Sequence, residues 1–198
     1  MLVPIGRSEV VAKIWKLTVG RVELLLLDTG VSENKPADRK LTHHLYGGDN
    51  EYRIRQEVLL GVGGLLALEA MGVEPTVHHL NEGHAAFAPL ERVRRLTAAG
   101  ESYERACEKV ASASVFTTHT PVPEGNDRFD VKLFNKYIGH YAADLGVSGE
   151  DLLALGREEP TDRRESFCMT VLALKLANHC NGVAELHGET ARGMWTRV

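Results

Sequence analysis

The sequence predicts an α/β fold in which helices flank a parallel sheet. Two short apolar segments, 75–80 and 114–118, have the length and composition of buried strands, and amphipathic helices are predicted between them over 84–97 and 101–113. A strand, two helices and a second strand at this spacing form a crossover, which pairs its strands in parallel. Both strands should therefore end at the same edge of one sheet.

Elements of a different kind are predicted before the crossover: two strands of a hairpin, a short helix and a long amphipathic helix. Their predicted bounds are 10–18, 21–27, 37–46 and 51–71. Val19-Gly20 is the expected hairpin turn, and residues 47–50 should separate the two helices. Gly72, just past the last apolar residue, should end the long helix.

Loops and helices are predicted after the crossover. In order they are a loop over 121–129, an amphipathic helix over 131–145, a charged loop over 156–164, a buried helix over 167–177, and a last helix reached through 181–186. Pro89 lies inside the predicted helix 84–97, so that helix is expected to be kinked or to begin late.

Composition excludes several classes of protein. The chain has 198 residues, of which 43% are hydrophobic and 25% charged, which suits one soluble globular core. The net charge of −4 and the lack of a basic cluster argue against a nucleic-acid partner. Its apolar runs are too short to span a bilayer, and the first residues do not resemble a signal peptide.

The cysteines indicate a reducing compartment. There are three of them, Cys107, Cys168 and Cys180, and their odd number and spacing fit neither a disulfide framework nor a zinc ribbon. Reduced thiols are typical of the cytoplasm, so we expect a cytoplasmic protein.

Polar clusters directly follow the two crossover strands. Asn81-Glu82-Gly83-His84 follows the first strand, and His119-Thr120 follows the second. Ligands of open α/β sheets bind outside the carboxyl ends of the strands. Amide, carboxylate and imidazole groups together suit the hydroxyls of a sugar. The alternative is that Asn81 and His84 only cap and begin a helix.

Two other readings of these residues remain open but are disfavoured. His79, Glu82, His84 and His119 are of types that bind zinc in a hydrolase, but they lack the HExxH spacing that places two imidazoles on one helix face. Gly61-Val62-Gly63-Gly64 resembles part of a dinucleotide loop, yet it lies inside a helical pattern, where close helix packing explains it better.

Four blocks of the sequence resemble the α-glucan phosphorylases, the family of the glycogen, starch and maltodextrin phosphorylases. They are 45–50 with 53–57, 79–87, 116–129 and 181–189, in the family's order. The resemblance covers about residues 10–198, and it is greater to the shorter bacterial and archaeal members than to the animal enzymes.

This resemblance implies a fold and an activity. The family has two Rossmann-like domains that face a cleft, the GT-B arrangement, and residues 1–198 would form part of the N-terminal domain. Its members cleave a terminal α-1,4-linked glucose with inorganic phosphate and release glucose 1-phosphate. Pyridoxal phosphate is bound to a lysine of the C-terminal domain, and its phosphate group assists the incoming phosphate.

The resemblance also assigns residues. His119 matches the family's catalytic histidine, which binds a hydroxyl of the cleaved glucose and whose carbonyl lies near the developing oxocarbenium ion. Glu82 and His84 match an acidic residue and a histidine on the acceptor side, and Asn81 adjoins them as a further substrate-binding residue. The animal enzymes carry Asp-Thr-His where this chain has Glu82-Gly83-His84. Asp49 and Asn50 match a mobile loop that gates the site.

Departures from the family pattern limit what this chain should do alone. The glycine-rich phosphate loop and the block around the cofactor lysine are not found, and Lys175 stands in a helix unlike that block. No residue is therefore expected to hold pyridoxal phosphate covalently, or a metal. In the parent enzyme the partners would be an α-1,4-glucan, phosphate and the missing C-terminal half. The alternative is a non-catalytic glucan-binding module or a subunit of a split enzyme.

Overall fold

The computed structural model describes residues 1–45 and 48–198, except for the side chain of Glu124. It contains two compact units, Met1–Glu74 and Pro75–Val198. Tyr46 and Gly47, at the end of the predicted short helix and the start of the predicted break, lie outside the described residues. Within the described ranges, no helix has both the length and the apolar character needed to cross a bilayer.

The first unit begins with two antiparallel hairpins. Their strands are β1 (Leu2–Ile5), β2 (Ser8–Val11), β3 (Lys13–Val19) and β4 (Val22–Asp28). The predicted turn is confirmed, because Gly20 adopts φ 62° between β3 and β4. The prediction of one strand from residue 10 to 18 is wrong. Val10 and Val11 pair with β1 instead, so the first hairpin was missed.

One face of the β3–β4 hairpin is apolar and exposed. Cross-strand pairing places three pairs on this face, and each member is 43–59% exposed; the pairs are Trp15↔Leu26, Leu17↔Leu24 and Val19↔Val22. Lys13 lies over the Trp15 ring, with its amine 3.6 Å from the ring centroid. The indole N–H of Trp15 donates to Asp28 at 3.1 Å.

Two helices complete the first unit, α1 (Pro36–Arg39) and α2 (Asn50–Ala70). Helix α1 is shorter than the predicted 37–46, because the chain after Arg39 forms tight turns and the Thr42 hydroxyl accepts a hydrogen bond from the Thr29 amide at 3.2 Å. Helix α2 matches its prediction closely, and Gly72 follows it with φ 67°.

Gly63 lies where α2 packs against the strands. A Cβ atom at this position would lie 3.2 Å from Val3 of β1 and 3.3 Å from Leu27 of β4. The helix therefore approaches both hairpins closely at Gly63. Gly61–Gly64 lies inside α2 and not after a strand, which favours the packing interpretation over a dinucleotide loop, although no described atom beyond its own stretch of helix lies within 4 Å of a Cβ at Gly64.

The second unit contains the predicted crossover. Its elements are β5 (His78–Asn81), α3 (Phe87–Ala98), α4 (Tyr103–Ser112) and β6 (Ser114–Thr118), and β5 pairs with β6 in parallel. Helix α3 begins later than predicted, after a short 3-10 helix at Gly83–Ala85. Pro89 thus falls in its first turn, where the missing amide hydrogen is tolerated.

A third strand of this sheet was missed from the sequence. Strand β9 (His179–Gly182) pairs in parallel with β6, which makes β6 the central strand in the order β5-β6-β9. The prediction treated 181–186 only as an approach to the last helix. A four-residue strand with a polar sequence gives little apolar periodicity, so the sequence pattern does not predict it.

Shorter elements surround the sheet. They are β7 (Arg128–Phe129), α5 (Val131–Tyr137), α6 (Tyr141–Leu145), α7 (Gly149–Ala154), β8 (Phe167–Cys168), α8 (Met169–Lys175) and α9 (Glu185–Met194). The single helix predicted over 131–145 is wrong, because it breaks between α5 and α6. At Gly139 a Cβ atom would lie 2.8 Å from the carbonyl oxygen of Asn135.

Stacked aromatic rings fill the core of the second unit. The Phe134 and Phe167 rings stack with centroids 4.0 Å apart, and Phe87 stacks on Phe167 at 6.4 Å. All three side chains are fully buried. Gly156 lies against this stack, since a Cβ there would meet the Phe167 ring at 2.4 Å.

A buried carboxylate joins α3 to α6. Glu91, 2% exposed, accepts hydrogen bonds from Arg94 at 2.7 and 2.8 Å, from Arg95 at 2.8 Å and from the Tyr141 hydroxyl at 2.7 Å. Burial by itself would raise the pKa of Glu91, but these hydrogen bonds outweigh it and hold the pKa below its usual value. The charged form is therefore the one that stabilises this contact.

We expect Glu91→Gln to lower the free energy of unfolding by about 2–4 kcal/mol, because an amide cannot replace the charged acceptor of two arginines. Denaturant unfolding monitored by circular dichroism measures this change. Glu101→Gln is the matched control, since Glu101 pairs with Lys109 and Arg105 at the surface and its loss should matter far less. Equal effects of the two substitutions would contradict the assignment.

Candidate functional site

The carboxyl ends of β5 and β6 form the candidate site. In the parallel register Asn81 lies opposite Thr117, and the Glu82 amide continues the ladder by donating to the Thr117 carbonyl at 2.9 Å. The segment from Asn81 to His84 therefore meets the start of the His119 loop. The structure brings the two polar clusters together at one edge of the sheet, as the sequence predicted.

Glu82 connects the two strand ends. One oxygen of its carboxylate accepts the backbone amide of His119, the amide of Thr120 at 2.8 Å and the hydroxyl of Thr118 at 3.3 Å. The other oxygen accepts the Gly83 amide at 3.3 Å. The residue is 9% exposed. Its carboxylate is thus turned toward the backbone of the neighbouring loop, a role that the sequence did not predict.

The backbone of Glu82 is strained. It adopts φ 68° and ψ 176°, a backbone conformation that residues other than glycine rarely adopt. Among the described residues it is the one non-glycine position with positive φ. Such a conformation costs on the order of 1–3 kcal/mol and persists only where surrounding contacts hold it. Here the four hydrogen bonds to the carboxylate supply that support.

Glu82 also settles the capping alternative. It occupies the N-cap position of the 3-10 helix Gly83–Ala85, so the reading of Asn81 as the helix cap is wrong. Asn81 is the last residue of β5 and its side chain is exposed. His119 is exposed as well. Both side chains therefore remain accessible for a ligand at the strand ends.

His84 pairs with a residue that the site prediction did not include. Its Nδ1 atom lies 3.1 Å from a carboxylate oxygen of Asp127, and both side chains are partly buried. The Asp127 carbonyl accepts the Met169 amide at 3.0 Å, which anchors its loop to α8. Asp127 lies in the family-like block 116–129, and that block was the only sequence signal that pointed to it.

A second hydrogen-bonded series crosses all three strands. Nε2 of His79 lies 2.7 Å from the Thr117 hydroxyl, which donates to the Asn181 side chain at 3.0 Å. These bonds fix the polar surface of the sheet. The carboxylate of Glu82 is used on the amides of residues 119 and 120, which does not leave it as a metal ligand in the zinc-hydrolase hypothesis.

Asp49 and Asn50, the predicted loop residues, belong to the first unit. Asp49 is the N-cap of α2, and its carboxylate accepts the Tyr52 amide at 2.8 Å. Asn50 is the first residue of that helix, and both side chains are exposed. Their structural role is therefore that of a helix start.

The sequence is similar to known phosphorylases over nearly its whole length. It is 43% identical over 209 residues to a glycogen phosphorylase of Mycobacterium tuberculosis, covering 99% of this chain and 24% of the relative. Identity to a maltodextrin phosphorylase of Thermococcus litoralis is 39% over 196 residues, with 99% and 23% covered. A glycogen phosphorylase of Aquifex aeolicus is 33% identical over 183 residues, with 92% and 26% covered.

The chain belongs to the α-glucan phosphorylase family. It spans about a quarter of the length of the curated relatives it matches. No protein-family model matches the sequence.

Pyridoxal phosphate, which this family implies, does not fit the lysine that the sequence singles out. The Lys175 amine donates to the carbonyl oxygens of Ala154 at 2.8 Å and Arg157 at 2.6 Å. Burial lowers its pKa. Because both bonds hold the amine against backbone between α7 and α8, Lys175 serves packing and is not presented to an aldehyde.

Two glycines of the phosphorylase-like block 181–189 bring α9 against the sheet. A Cβ at Gly182 would lie 2.6 Å from the backbone nitrogen of Gly188 and 2.8 Å from its Cα atom. Strand β9 and helix α9 therefore touch through their backbones. Beside this contact lies a cavity of about 240 Å³, whose walls include Thr118, Asn181 and Arg192.

We expect Gly182→Ala to destabilise the second unit by about 1–3 kcal/mol, because the added methyl group meets rigid backbone rather than a mobile side chain. Thermal unfolding of this variant and of a control variant measures the effect. Gly193→Ala, in α9, is the control: its Cβ would meet no described atom within 4 Å beyond its own stretch of helix, so stability should stay equal or rise by up to about 1 kcal/mol. A neutral Gly182→Ala would show that α9 is not held at this distance.

Proposed function

We propose that this chain provides the glucose-binding side of an α-glucan phosphorylase active site, within a protein that phosphorolyses terminal α-1,4-linked glucose. One observation carries the proposal. An accessible histidine and an accessible asparagine, His119 and Asn81, lie at adjoining parallel strand ends, and the carboxylate of Glu82 holds the backbone of the segment that carries His119. The similarity to glycogen and maltodextrin phosphorylases supports the choice of substrate.

The proposed chemistry divides between binding and charge stabilisation. The His119 imidazole and the Asn81 amide bind sugar hydroxyls, while His84, oriented by Asp127, binds the acceptor side of the glucan. Phosphate replaces the glycosidic oxygen at the anomeric carbon, and that oxygen leaves with a proton as the new chain end. The carbonyl of His119 favours positive charge on the ring as the bond breaks.

The remaining machinery belongs to the rest of the proposed enzyme. Two Rossmann-like domains would face a cleft in the GT-B arrangement, with residues 1–198 as part of the N-terminal one. Asp49 and Asn50, at the start of α2, would adjoin the loop that gates the site. Pyridoxal phosphate, when bound there, supplies a phosphate group that assists the substrate phosphate. The cationic groups that hold phosphate would also come from that C-terminal half.

A second candidate is a non-catalytic glucan-binding module or a subunit of a split enzyme. The favouring observation is that Lys175 is committed to backbone carbonyls while the hydroxyl-binding side chains stay accessible. Such a chain would bind maltodextrin, would not phosphorolyse it alone, and would gain activity when mixed with a chain that carries the lysine-bearing half.

The 198-residue chain should not form a stable Schiff base with pyridoxal phosphate. The amine of Lys175 is held by two carbonyls, and the other lysines lack the family's cofactor block. Incubation with the cofactor, borohydride reduction and peptide mapping measure attachment. Stoichiometric labelling of a single lysine would overturn this prediction, whereas sparse labelling spread over several lysines agrees with it.

His119→Ala should lower kcat/KM for maltodextrin phosphorolysis by about 30- to 1000-fold, because a sugar contact that tightens in the transition state is lost. The measurement uses a chimera in which this chain replaces the matching segment of the Mycobacterium tuberculosis glycogen phosphorylase. His179→Ala is the control, since His179 is exposed at the opposite end of β9. A folded, active chimera that tolerates His119→Ala would assign this histidine a structural role only.

A further inference from the structure

The Glu82 carboxylate binds protein backbone rather than facing solvent. Its three hydrogen bonds to residues 118–120 join two strand ends that are 37 residues apart in sequence. Two of the three donors are backbone amides of consecutive residues, so the carboxylate fixes the orientation of the peptide plane between His119 and Thr120. That plane contains the His119 carbonyl.

We propose that Glu82 is the positioning residue of His119. It sets the direction of the His119 carbonyl and the position of the backbone from which the imidazole extends. It thereby acts on the reaction without touching the glucan. The inference rests on the proposed function for its consequence in catalysis, while the positioning itself is a property of this chain.

The strained backbone of Glu82 supports this role. A glycine would adopt φ 68° and ψ 176° without strain, whereas a glutamate does not. The glutamate side chain must therefore make contacts that offset the strain. The side chain reaches the His119 and Thr120 amides from this conformation, and the short 3-10 helix that follows places Gly83 against the Thr170 backbone, 3.1 Å from a would-be Cβ. The turn at Glu82 is thus held by two contacts: the carboxylate binds the His119 segment, and Gly83 packs against Thr170.

Substitutions at position 82 separate positioning from direct binding. Glu82→Gly removes the carboxylate and also relieves the backbone strain, so the variant should fold. Glu82→Gln keeps one oxygen that can accept the two amides. In the chimera we expect Glu82→Gly to lower kcat about 100-fold while KM for maltodextrin changes less than about threefold, and Glu82→Gln to recover most of the loss.

A double variant tests whether Glu82 acts through His119. If it does, Glu82→Gly combined with His119→Ala should lose less activity than the product of the two single losses. Losses that multiply would overturn the part of the proposal that concerns the imidazole, because alanine at this position keeps the backbone carbonyl. A Glu82→Gly variant that keeps kcat but has a raised KM would overturn the whole proposal, since that pattern belongs to a residue that binds the glucan directly.

Hydrogen exchange on the 198-residue chain tests the positioning without any activity. The amides of His119 and Thr120 should exchange at least about tenfold faster in Glu82→Gly than in the unsubstituted chain, with the ladder amides of β6 as the internal control. Unchanged exchange at these two amides would overturn the proposal. A folded but inactive unsubstituted chimera would contradict the proposed function instead, and the exchange result would still decide the role of Glu82.

Discussion

Parallel pairing of β5 with β6 is the constraint on which the candidate site depends. It places Asn81 opposite Thr117, so the residues that follow each strand emerge side by side. The Glu82 carboxylate then converts this proximity into fixed geometry by accepting two amides from the neighbouring loop. A shift of one residue in register would move Glu82 to the other face of its strand and release the His119 segment.

The polar groups at this edge of the sheet fall into two sets: some hold the site together, and others remain available to a ligand. Glu82, Thr117 and Asp127 use their polar atoms on other parts of the chain, whereas Asn81 and His119 are exposed. Sites with accessible groups on a fixed frame lose little conformational freedom when a ligand binds. This division makes a hydroxyl-rich ligand chemically reasonable, and that is the class of ligand to which the proposed glucan belongs.

Sequence patterns predicted the crossover and the long helix because both carry strong periodic apolar signals, ending at Thr118 and near Gly72. They failed where the signal was short or polar: β1, β9 and the break between α5 and α6. They also placed Glu82 in the strand-end cluster as a substrate-binding residue. No local pattern reveals that its carboxylate turns toward a loop 37 residues away, since that contact exists only after the strands pair.

The position of β9 has a consequence for how the protein folds during synthesis. Asn181 meets Thr117 across 64 residues of chain, and β9 is hydrogen-bonded to the central strand along its whole length. Contacts of such separation form slowly, because the loop must close before any stabilisation is gained. On the ribosome, the β5–β6 pair can assemble well before β9 emerges. The growing chain therefore spends that interval with one edge of β6 unpaired, and an unpaired strand edge of this kind favours aggregation.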